Sequence, residues 1–166
     1  MLIRRATVKD AYALASIYNQ AIEERNATFE TESRSIEDRE QWILNQGERY
    51  PILVAELNDL VLGFASVSAY RARNCYDGVG EFSVYIDRQS RGQGVGRRLL
   101  EELILECKNI GYWKLVSRVF DFNVASRALC KRCGFREVGV YEKHGQLDGQ
   151  WLNCVIVEKI MDTTIH

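Results

Sequence analysis

Glycine occupies every second position in the stretch Gly92-Gln-Gly-Val-Gly96, and this spacing constrains the fold more than any other feature of the sequence. Residues 80–86 before it have the β-rich composition of a strand, and after it apolar residues recur at helical spacing as far as Ile110. Glycine lets the backbone approach an anion closely and turn several N–H groups toward it, and the N-terminus of the following helix adds a partial positive charge. The pattern therefore predicts an α/β fold with a phosphate-binding turn between a strand and a helix.

The spacing of the glycines also narrows the kind of phosphate ligand. It is not the dinucleotide-binding pattern G-x-G-x-x-G, because the third glycine comes one residue early, and no Lys-Ser/Thr pair follows as in a nucleotide-binding P-loop. A flexible turn without a ligand is the alternative. That alternative leaves unexplained why Arg91, Arg97 and Arg98 lie at the same end of the predicted helix.

Hydrophobic patterning along the chain predicts a mixed α/β fold with helices on both faces of one central sheet. The predicted strands cover residues 2–6, 51–57, 60–70, 80–86, 114–120, 136–141 and 151–161, and the predicted helices cover residues 11–22, 36–46, 99–110 and 123–133. Thr7 with Asp10 resembles a capping box before the first helix, and Ser35 repeats the signal before the second. Asn58-Asp59 is a turn pair that suits a hairpin.

Composition and charge exclude several classes of partner. The formal net charge is −1 and the pI is near 6.2. The chain therefore lacks the excess of basic residues that nucleic-acid binding normally requires. No apolar run approaches the roughly 20 residues needed to span a bilayer, and charges come too early for a signal peptide.

Five widely spaced cysteines are typical of reduced thiols, and Cys130-x-x-Cys133 lacks the second pair of a closed zinc site. We expect one cytoplasmic domain over residues 1–166 that binds a small molecule, without metal, nucleic acid or membrane.

The turn at Gln89-x-x-Gly92-x-Gly94 resembles the pyrophosphate loop of the GNAT superfamily of N-acetyltransferases, whose pattern is Q/R-x-x-G-x-G/A. The resemblance implies the GNAT fold, a single mixed central sheet in which two neighbouring strands splay apart at the cofactor site, and acetyl-CoA as the acetyl donor. It also implies that backbone amides hold the pyrophosphate at Arg91, Gly92, Gln93, Gly94, Val95 and Gly96. Val84, Tyr85 and Ile86 are then expected to pair with the amide groups of pantetheine, as a peptide pairs with a strand edge.

A second stretch, Asn123-x-x-Ser126-x-x-x-Cys130-x-x-x-Gly134-Phe135, resembles the GNAT pattern N-x-x-A/S-x-x-x-Y-x-x-x-G-F. The resemblance implies that Asn123 and Ser126 contact the cofactor. Cys130 stands where the family usually has a tyrosine, which is proposed to protonate the departing CoA thiolate. Either a thiol or solvent could supply that proton, and a core cysteine is the structural alternative.

Three further segments resemble the phosphinothricin and methionine sulfoximine acetyltransferase branch: residues 17–22 with 27–31, residues 73–77 leading to 81–86, and residues 147–153. Together with the cofactor motifs, they extend the resemblance over nearly the whole chain. The branch implies a small amino-acid-like amine as substrate and a homodimer. Asn153 departs from the aspartate that the branch commonly has, so any charge role there is lost.

Glu81 is predicted to be the catalytic base. It shares one face of the predicted strand with Ser83 and Tyr85, while apolar residues alternate on the other face. An ammonium substrate must lose a proton before it attacks a thioester, and a partly desolvated glutamate can accept that proton directly or through water. The branch resemblance implies the same role. An ion-paired strand carboxylate without catalytic use is the alternative.

Other candidate substrate-binding residues surround this strand in the sequence. Arg71 and Arg73 lie on the preceding loop, where a guanidinium could bind a substrate carboxylate or phosphinate. Phe29 is a candidate apolar wall. A solvated basic loop and a plain core aromatic are the alternatives. His144, one of two histidines, is either catalytic or an exposed turn residue.

The predicted function is direct transfer of the acetyl group of acetyl-CoA to a small amino-acid-like amine. The alternatives are an acetyltransferase for protein N-termini or polyamines, and a non-catalytic acyl-CoA-binding module. The loop arginines disfavour polyamines. Glu81 disfavours the binding module, because cofactor binding alone does not need that carboxylate.

Overall fold

Seven strands form one sheet in the computed structural model, which describes residues 1–161. The strands are Leu2–Arg5 (β1), Ile52–Leu57 (β2), Leu60–Ala69 (β3), Val79–Ile86 (β4), Lys114–Phe120 (β5), Arg136–Leu147 (β6) and Gln150–Ile160 (β7). Their order across the sheet is β1-β2-β3-β4-β5-β7-β6. Every neighbouring pair is antiparallel except β4 with β5, so the sheet is mixed, as predicted.

The parallel strands β4 and β5 are paired only over their first residues. Residues 79–81 lie opposite residues 114–116, and the pairing stops there. β4 remains paired with β3 as far as Ile86. The sheet therefore opens between β4 and β5, and this opening is the splayed strand pair that the sequence resemblance implies.

Four helices within residues 1–161 cover the sheet: Ala11–Glu24 (α1), Ile36–Gln46 (α2), Val95–Ile110 (α3) and Val124–Arg132 (α4). α1 shares a buried cluster with Val54 of β2 and Phe64 of β3. α3 shares a second cluster with Leu53 and Ala55, the residues of β2 that point the opposite way. Helices thus lie on both faces, as predicted. None of the helices in this part of the chain is long and apolar enough to cross a membrane.

Capping hydrogen bonds and a left-handed turn lie at the helix starts and the hairpin that the sequence predicts. The Ser35 hydroxyl accepts the backbone N–H three residues on at 3.0 Å and begins α2. Asp10 accepts the N–H of Thr7 at 2.8 Å, although a short 3-10 turn separates this contact from α1. Asn58 and Asp59 have φ values of 52° and 66°, the left-handed backbone that a tight hairpin needs.

β6 is longer than predicted. The sequence predicts a strand over residues 136–141 and then a turn, whereas β6 continues to Leu147, with a bulge around residues 142–144. The Asn153 side chain of β7 accepts the N–H of Lys143 at 2.9 Å, and Lys143 has a φ of 49°. This contact from the neighbouring strand keeps the segment within the sheet, and local patterning does not reveal it.

Candidate active site

The opening between β4 and β5 leaves backbone groups of β4 without a neighbouring strand. Asp87, directly after β4, donates its N–H to the Leu62 carbonyl of β3 at 2.8 Å. In this antiparallel register, the odd-numbered residues of β4 therefore direct their backbone groups toward β3. The even-numbered residues direct theirs toward β5, as Phe82 does when its carbonyl accepts the Ser117 hydroxyl at 2.9 Å.

Val84 and Ile86, two of the three residues predicted to pair with pantetheine, thus direct backbone N–H and C=O groups into the opening. Tyr85, the third, turns its backbone toward β3, and its ring meets that of Tyr18 on the α1 face with centroids 5.1 Å apart. Burial raises the pKa of the Tyr85 hydroxyl, so this group stays protonated at neutral pH. An extended ligand with amide groups could add to β4 through Val84 and Ile86.

A cavity of about 230 Å³ lies at the opening and is lined from both faces of the sheet. Its lining includes Phe29, Glu81 and Ser83 from the α1 face and Ser126, Leu129 and Cys130 from α4. It shares Val84 and Ser126 with a larger cavity of about 480 Å³ beside the glycine turn. A ligand that extends from the turn can therefore reach through the sheet to Glu81.

The glycine turn forms one end of the larger cavity. Gly92 and Gly94 have φ values of 75° and 80°, and beyond each glycine and its two chain neighbours no atom of the described chain lies within 4 Å of where their β-carbons would be. Gly96, in the first turn of α3, lies against α4, because an added β-carbon would be 3.3 Å from Leu129 Cδ2. Two glycines therefore shape the turn and keep the space beside it open, and the third lets two helices pack closely.

Most of the predicted cofactor-binding residues border the larger cavity: Val84, Tyr85, Ile86, Arg91, Gly92, Gly94, Val95, Gly96, Asn123 and Ser126. Gln93 is not among them, and its side chain instead approaches the Gln89 carbonyl at 3.5 Å. Asn123 caps α4 by accepting the Ser126 N–H at 3.1 Å, and it donates to the Asn26 carbonyl at 2.9 Å. Its side chain therefore shapes the cavity by joining α4 to the loop after α1.

Two arginines near the turn have carboxylate partners. Arg91 makes two bonds of 2.6 Å to Glu24 at the end of α1, and these bonds lower the pKa of the Glu24 carboxyl. Arg97 donates to Glu101 at 2.8 Å. These guanidinium charges are locally balanced, so we expect any fixed attraction for a phosphate here to come from the backbone N–H groups of the turn and the N-terminus of α3.

Glu81 lies where the cavity at the opening meets a groove of about 320 Å³ on the α1 face. Its Oε1 atom accepts bonds from Arg118 Nε at 3.1 Å and Arg118 Nη2 at 2.7 Å. The Glu81 side chain is 23% exposed, against 51% for Arg118. Glu81 is therefore ion-paired, and it also borders both the cavity at the opening and the groove.

Sequence reasoning missed Arg118. Glu81 lies opposite Val116 at the last paired position of the parallel strands, and Arg118 follows two residues later on the same face of β5. The alternation of residues along the predicted strand indicates which face of the strand Arg118 shares. Local patterning does not indicate which strand lies beside β5, so it does not bring Arg118 next to Glu81.

Phe29 and Arg71, predicted to bind substrate, each border one of the two spaces that Glu81 also borders. Phe29 borders the cavity at the opening and packs edge-on against Phe120, with ring centroids 4.8 Å apart. Arg71 borders the groove, and its guanidinium lies 4.5 Å from the centre of the Tyr70 ring. Arg73, the other predicted residue, is exposed at the start of a 3-10 turn and borders neither space.

His144 also borders the groove, at the bulge of β6. Its ring lies 4.8 Å from that of Tyr141, and its Nε2 atom is 3.5 Å from Arg118 Nη1. The residue is exposed, but the prediction of a turn is wrong because β6 continues through it.

Cys130 is a weak candidate for protonating the CoA thiolate. It borders the cavity at the opening but is only 4% exposed, and burial raises its pKa to about 12. An ordinary thiol has a pKa of about 8.5, so proton transfer from Cys130 to a thiolate is uphill by about 1.4 kcal/mol for each unit of difference. This difference argues against Cys130 as the proton donor.

Comparison with known proteins agrees with this geometry. The family described as "Acetyltransferase (GNAT) domain" matches residues 3–156. The L-methionine sulfoximine/L-methionine sulfone acetyltransferase of Pseudomonas aeruginosa is 33% identical, over 98% of this chain and 95% of that protein. A phosphinothricin acetyltransferase from Sinorhizobium meliloti, solved in complex with AcCoA, superposes with a TM-score of 0.89 at 28% identity, over 96% of this chain and 88% of that one. A ribosomal-protein-alanine N-acetyltransferase from Brucella melitensis superposes with a TM-score of 0.94 at 38% identity, over 97% of this chain and all of that one.

The chain therefore belongs to the GNAT acetyltransferase family. It is an acetyl-CoA-dependent N-acetyltransferase, and its α/β sheet with a splayed strand pair is the GNAT fold. The predictions of fold, enzyme class and acetyl donor are confirmed.

We expect the variant Gly94→Asp to weaken acetyl-CoA binding about tenfold or more, as measured by calorimetry. Its side chain would occupy the space beside the turn and place a negative charge where the phosphates should lie. Gly149→Asp is the matched control, because Gly149 has a φ of 77° and equally open surroundings within the described chain, in the turn between β6 and β7. Equal affinity in the two folded variants would contradict the assignment of the turn.

We also expect Cys130→Ala to lower kcat by less than about threefold, because a thiol with a pKa of about 12 contributes little as a general acid. Steady-state assays well below the unfolding temperature would separate this effect from a loss of stability. A fall of about 10²-fold or more, the size expected for a missing general acid, would show that the thiol donates the proton after all.

Proposed function

We propose that this protein transfers the acetyl group of acetyl-CoA to the amine of a small amino-acid-like substrate of the phosphinothricin or methionine sulfoximine type. The observation that carries the proposal is the position of Glu81, whose carboxylate borders both the cavity at the opening and the groove. The relatives named for phosphinothricin and methionine sulfoximine support the substrate class.

The cofactor would lie along the path of the two connected cavities. The glycine turn and the N-terminus of α3 would hold the pyrophosphate, and the backbone groups of Val84 and Ile86 would hold the pantetheine. This arrangement would bring the thioester to the opening. Bound acetyl-CoA supplies an activated acetyl group, and the protein supplies its position relative to the amine.

In the proposed mechanism, Glu81 accepts a proton from the substrate ammonium, directly or through one water molecule. The resulting amine attacks the acetyl carbonyl from the side of the groove, and a backbone N–H of β4 in the opening stabilises the developing oxyanion. The bond from carbon to sulfur then breaks, the nitrogen releases its second proton to solvent, and solvent protonates the CoA thiolate. The products are the N-acetylated substrate and CoA.

The groove has the mixed character that an amino acid requires. Arg71 and Arg118 offer positive charge, Tyr70 and Tyr141 offer ring faces, and Ile156 offers an apolar floor. Phe29 would close the opposite side, next to the cavity at the opening. These contacts suit a substrate that carries both an acidic group and an apolar stem.

We further propose that the chain is one GNAT domain that works in the cytoplasm as a homodimer. The continuous sheet and the family match over residues 3–156 support one domain. Cys107, Cys130, Cys133 and Cys154 are buried free thiols, which suits a reducing compartment. The branch resemblance supports the homodimer, and exposed apolar residues on the last two strands, such as Trp151, offer surface for it.

The substrate class is tested by a panel of amines assayed through release of the CoA thiol. We expect methionine sulfoximine or phosphinothricin to have a higher kcat/KM than spermidine or a peptide with an N-terminal alanine. The peptide is the informative competitor, because a similar structure is named for acetylation of a ribosomal-protein alanine. A higher kcat/KM for the peptide would replace the proposed substrate class with protein N-termini.

The role of Glu81 is tested by Glu81→Gln, which keeps the size of the side chain and removes its basicity. We expect kcat/KM at neutral pH to fall by about 10² to 10⁴, with little change in acetyl-CoA affinity. The deficit should shrink as pH rises, because more substrate then arrives as free amine. Glu137→Gln is the matched control, since Glu137 is also a strand glutamate paired with an arginine, Arg127, at 2.7 Å. A rate for Glu81→Gln within about threefold of wild type would leave water as the proton acceptor.

A further inference from the structure

Arg118 connects β5 to β4 where the cavity at the opening meets the groove. It reaches from β5 across the opening to Glu81 on β4, with its Nε and Nη2 atoms on the same carboxylate oxygen, Oε1. It borders both spaces and is 51% exposed. An arginine in this position faces any substrate whose amine approaches Glu81.

Only one edge of the Arg118 guanidinium is used by Glu81. A guanidinium has five N–H donors, and the Glu81 contacts occupy Nε and one hydrogen on Nη2. In the described part of the chain, Nη1 has one neighbour within hydrogen-bonding range, the His144 ring at the long distance of 3.5 Å. The edge formed by Nη1 and Nη2 can therefore make a paired contact with a planar carboxylate.

The other basic groups of the groove are occupied differently. Lys114 bonds to Glu158, a buried carboxylate that Arg136 also contacts. Arg71 lies over the Tyr70 ring. Arg118 is thus the basic group that adjoins Glu81 directly.

The charges of Glu81 and Arg118 complement those of an α-amino acid. Such a substrate carries its ammonium and its carboxylate on the same carbon atom, so opposite charges lie side by side. Building on the function proposed above, we propose that Arg118 selects α-amino acids. Its outer edge, formed by Nη1 and Nη2, binds the substrate α-carboxylate. Its inner edge, formed by Nε and Nη2, holds Glu81 facing the substrate amine. A substrate with the amine alone leaves the outer edge of Arg118 unpaired and brings positive charge next to it.

The test compares two substrates that differ only in the α-carboxyl group: L-methionine sulfone and its α-carboxamide. In Arg118→Gln, kcat/KM for the acid should fall about 10- to 100-fold, the worth of a lost charged hydrogen-bonded contact, mainly through KM. The carboxamide should lose about threefold or less. Arg118→Lys should restore part of the acid rate, because it keeps the charge without the fork. Comparing each substrate with itself across variants cancels the difference between their amine pKa values.

Arg127→Gln serves as the control, because Arg127 makes a similar two-bond contact with Glu137 outside the groove. It should change the rate for neither substrate. Equal losses for the acid and the carboxamide in Arg118→Gln would show that Arg118 acts only through Glu81, and no loss for either would show a surface ion pair. Both results overturn the proposal.

A binding measurement separates this proposal from the proposed function. Calorimetry with CoA-saturated protein should show that L-methionine sulfone binds the wild type about tenfold or more tightly than it binds Arg118→Gln, and more tightly than the carboxamide binds the wild type. If these differences appear without acetylation, the role of Arg118 stands and the proposed reaction fails. Binding of the acid no tighter than that of the carboxamide overturns the role of Arg118, whatever the turnover.

Discussion

The separation of β4 from β5 beyond Glu81 is the constraint on which the rest of the site depends. Within a sheet, backbone N–H and C=O groups normally find partners on a neighbouring strand, and leaving them unpaired away from water is costly. Here β4 keeps its partner on one side, and on the other side Val84 and Ile86 face an opening. A ligand with its own amide groups can supply the missing partners. The same opening connects the two faces of the sheet, so a donor bound along one face can meet an acceptor bound on the other.

The glycine turn and the groove differ in their electrostatics, so each suits a ligand of different charge. At the glycine turn, Arg91 is balanced by Glu24, and in the proposed function backbone groups fixed in place would attract the phosphates. At the groove, the charges of Glu81 and Arg118 lie side by side. The first arrangement suits an anion and the second suits a zwitterion. Because each is built into the fold, little reorganisation is needed when donor and acceptor bind.

The parts of the site that depend on local backbone conformation could be predicted from the sequence. Gly92 and Gly94 lie in the turn between a strand and a helix that the sequence predicts, with the left-handed backbone that glycine permits, and the alternation of β4 places Glu81 on the same face as Ser83 and Tyr85, as expected. What could not be predicted depends on contacts between distant segments. The pairing of Glu81 with Arg118 follows from the parallel register of β4 and β5, and the bulge of β6 depends on Asn153 from the next strand.

Amide hydrogen exchange of β4, measured by NMR with and without acetyl-CoA, tests the central claim most directly. Val84 and Ile86 direct their N–H groups into the opening, whereas Tyr85 directs its N–H toward β3. If the cofactor completes the strand edge, exchange at Val84 and Ile86 should slow by about tenfold or more on addition of acetyl-CoA, and exchange at Tyr85, already bonded within the sheet, should change much less. Saturating acetyl-CoA that leaves exchange at Val84 and Ile86 unchanged would contradict the account.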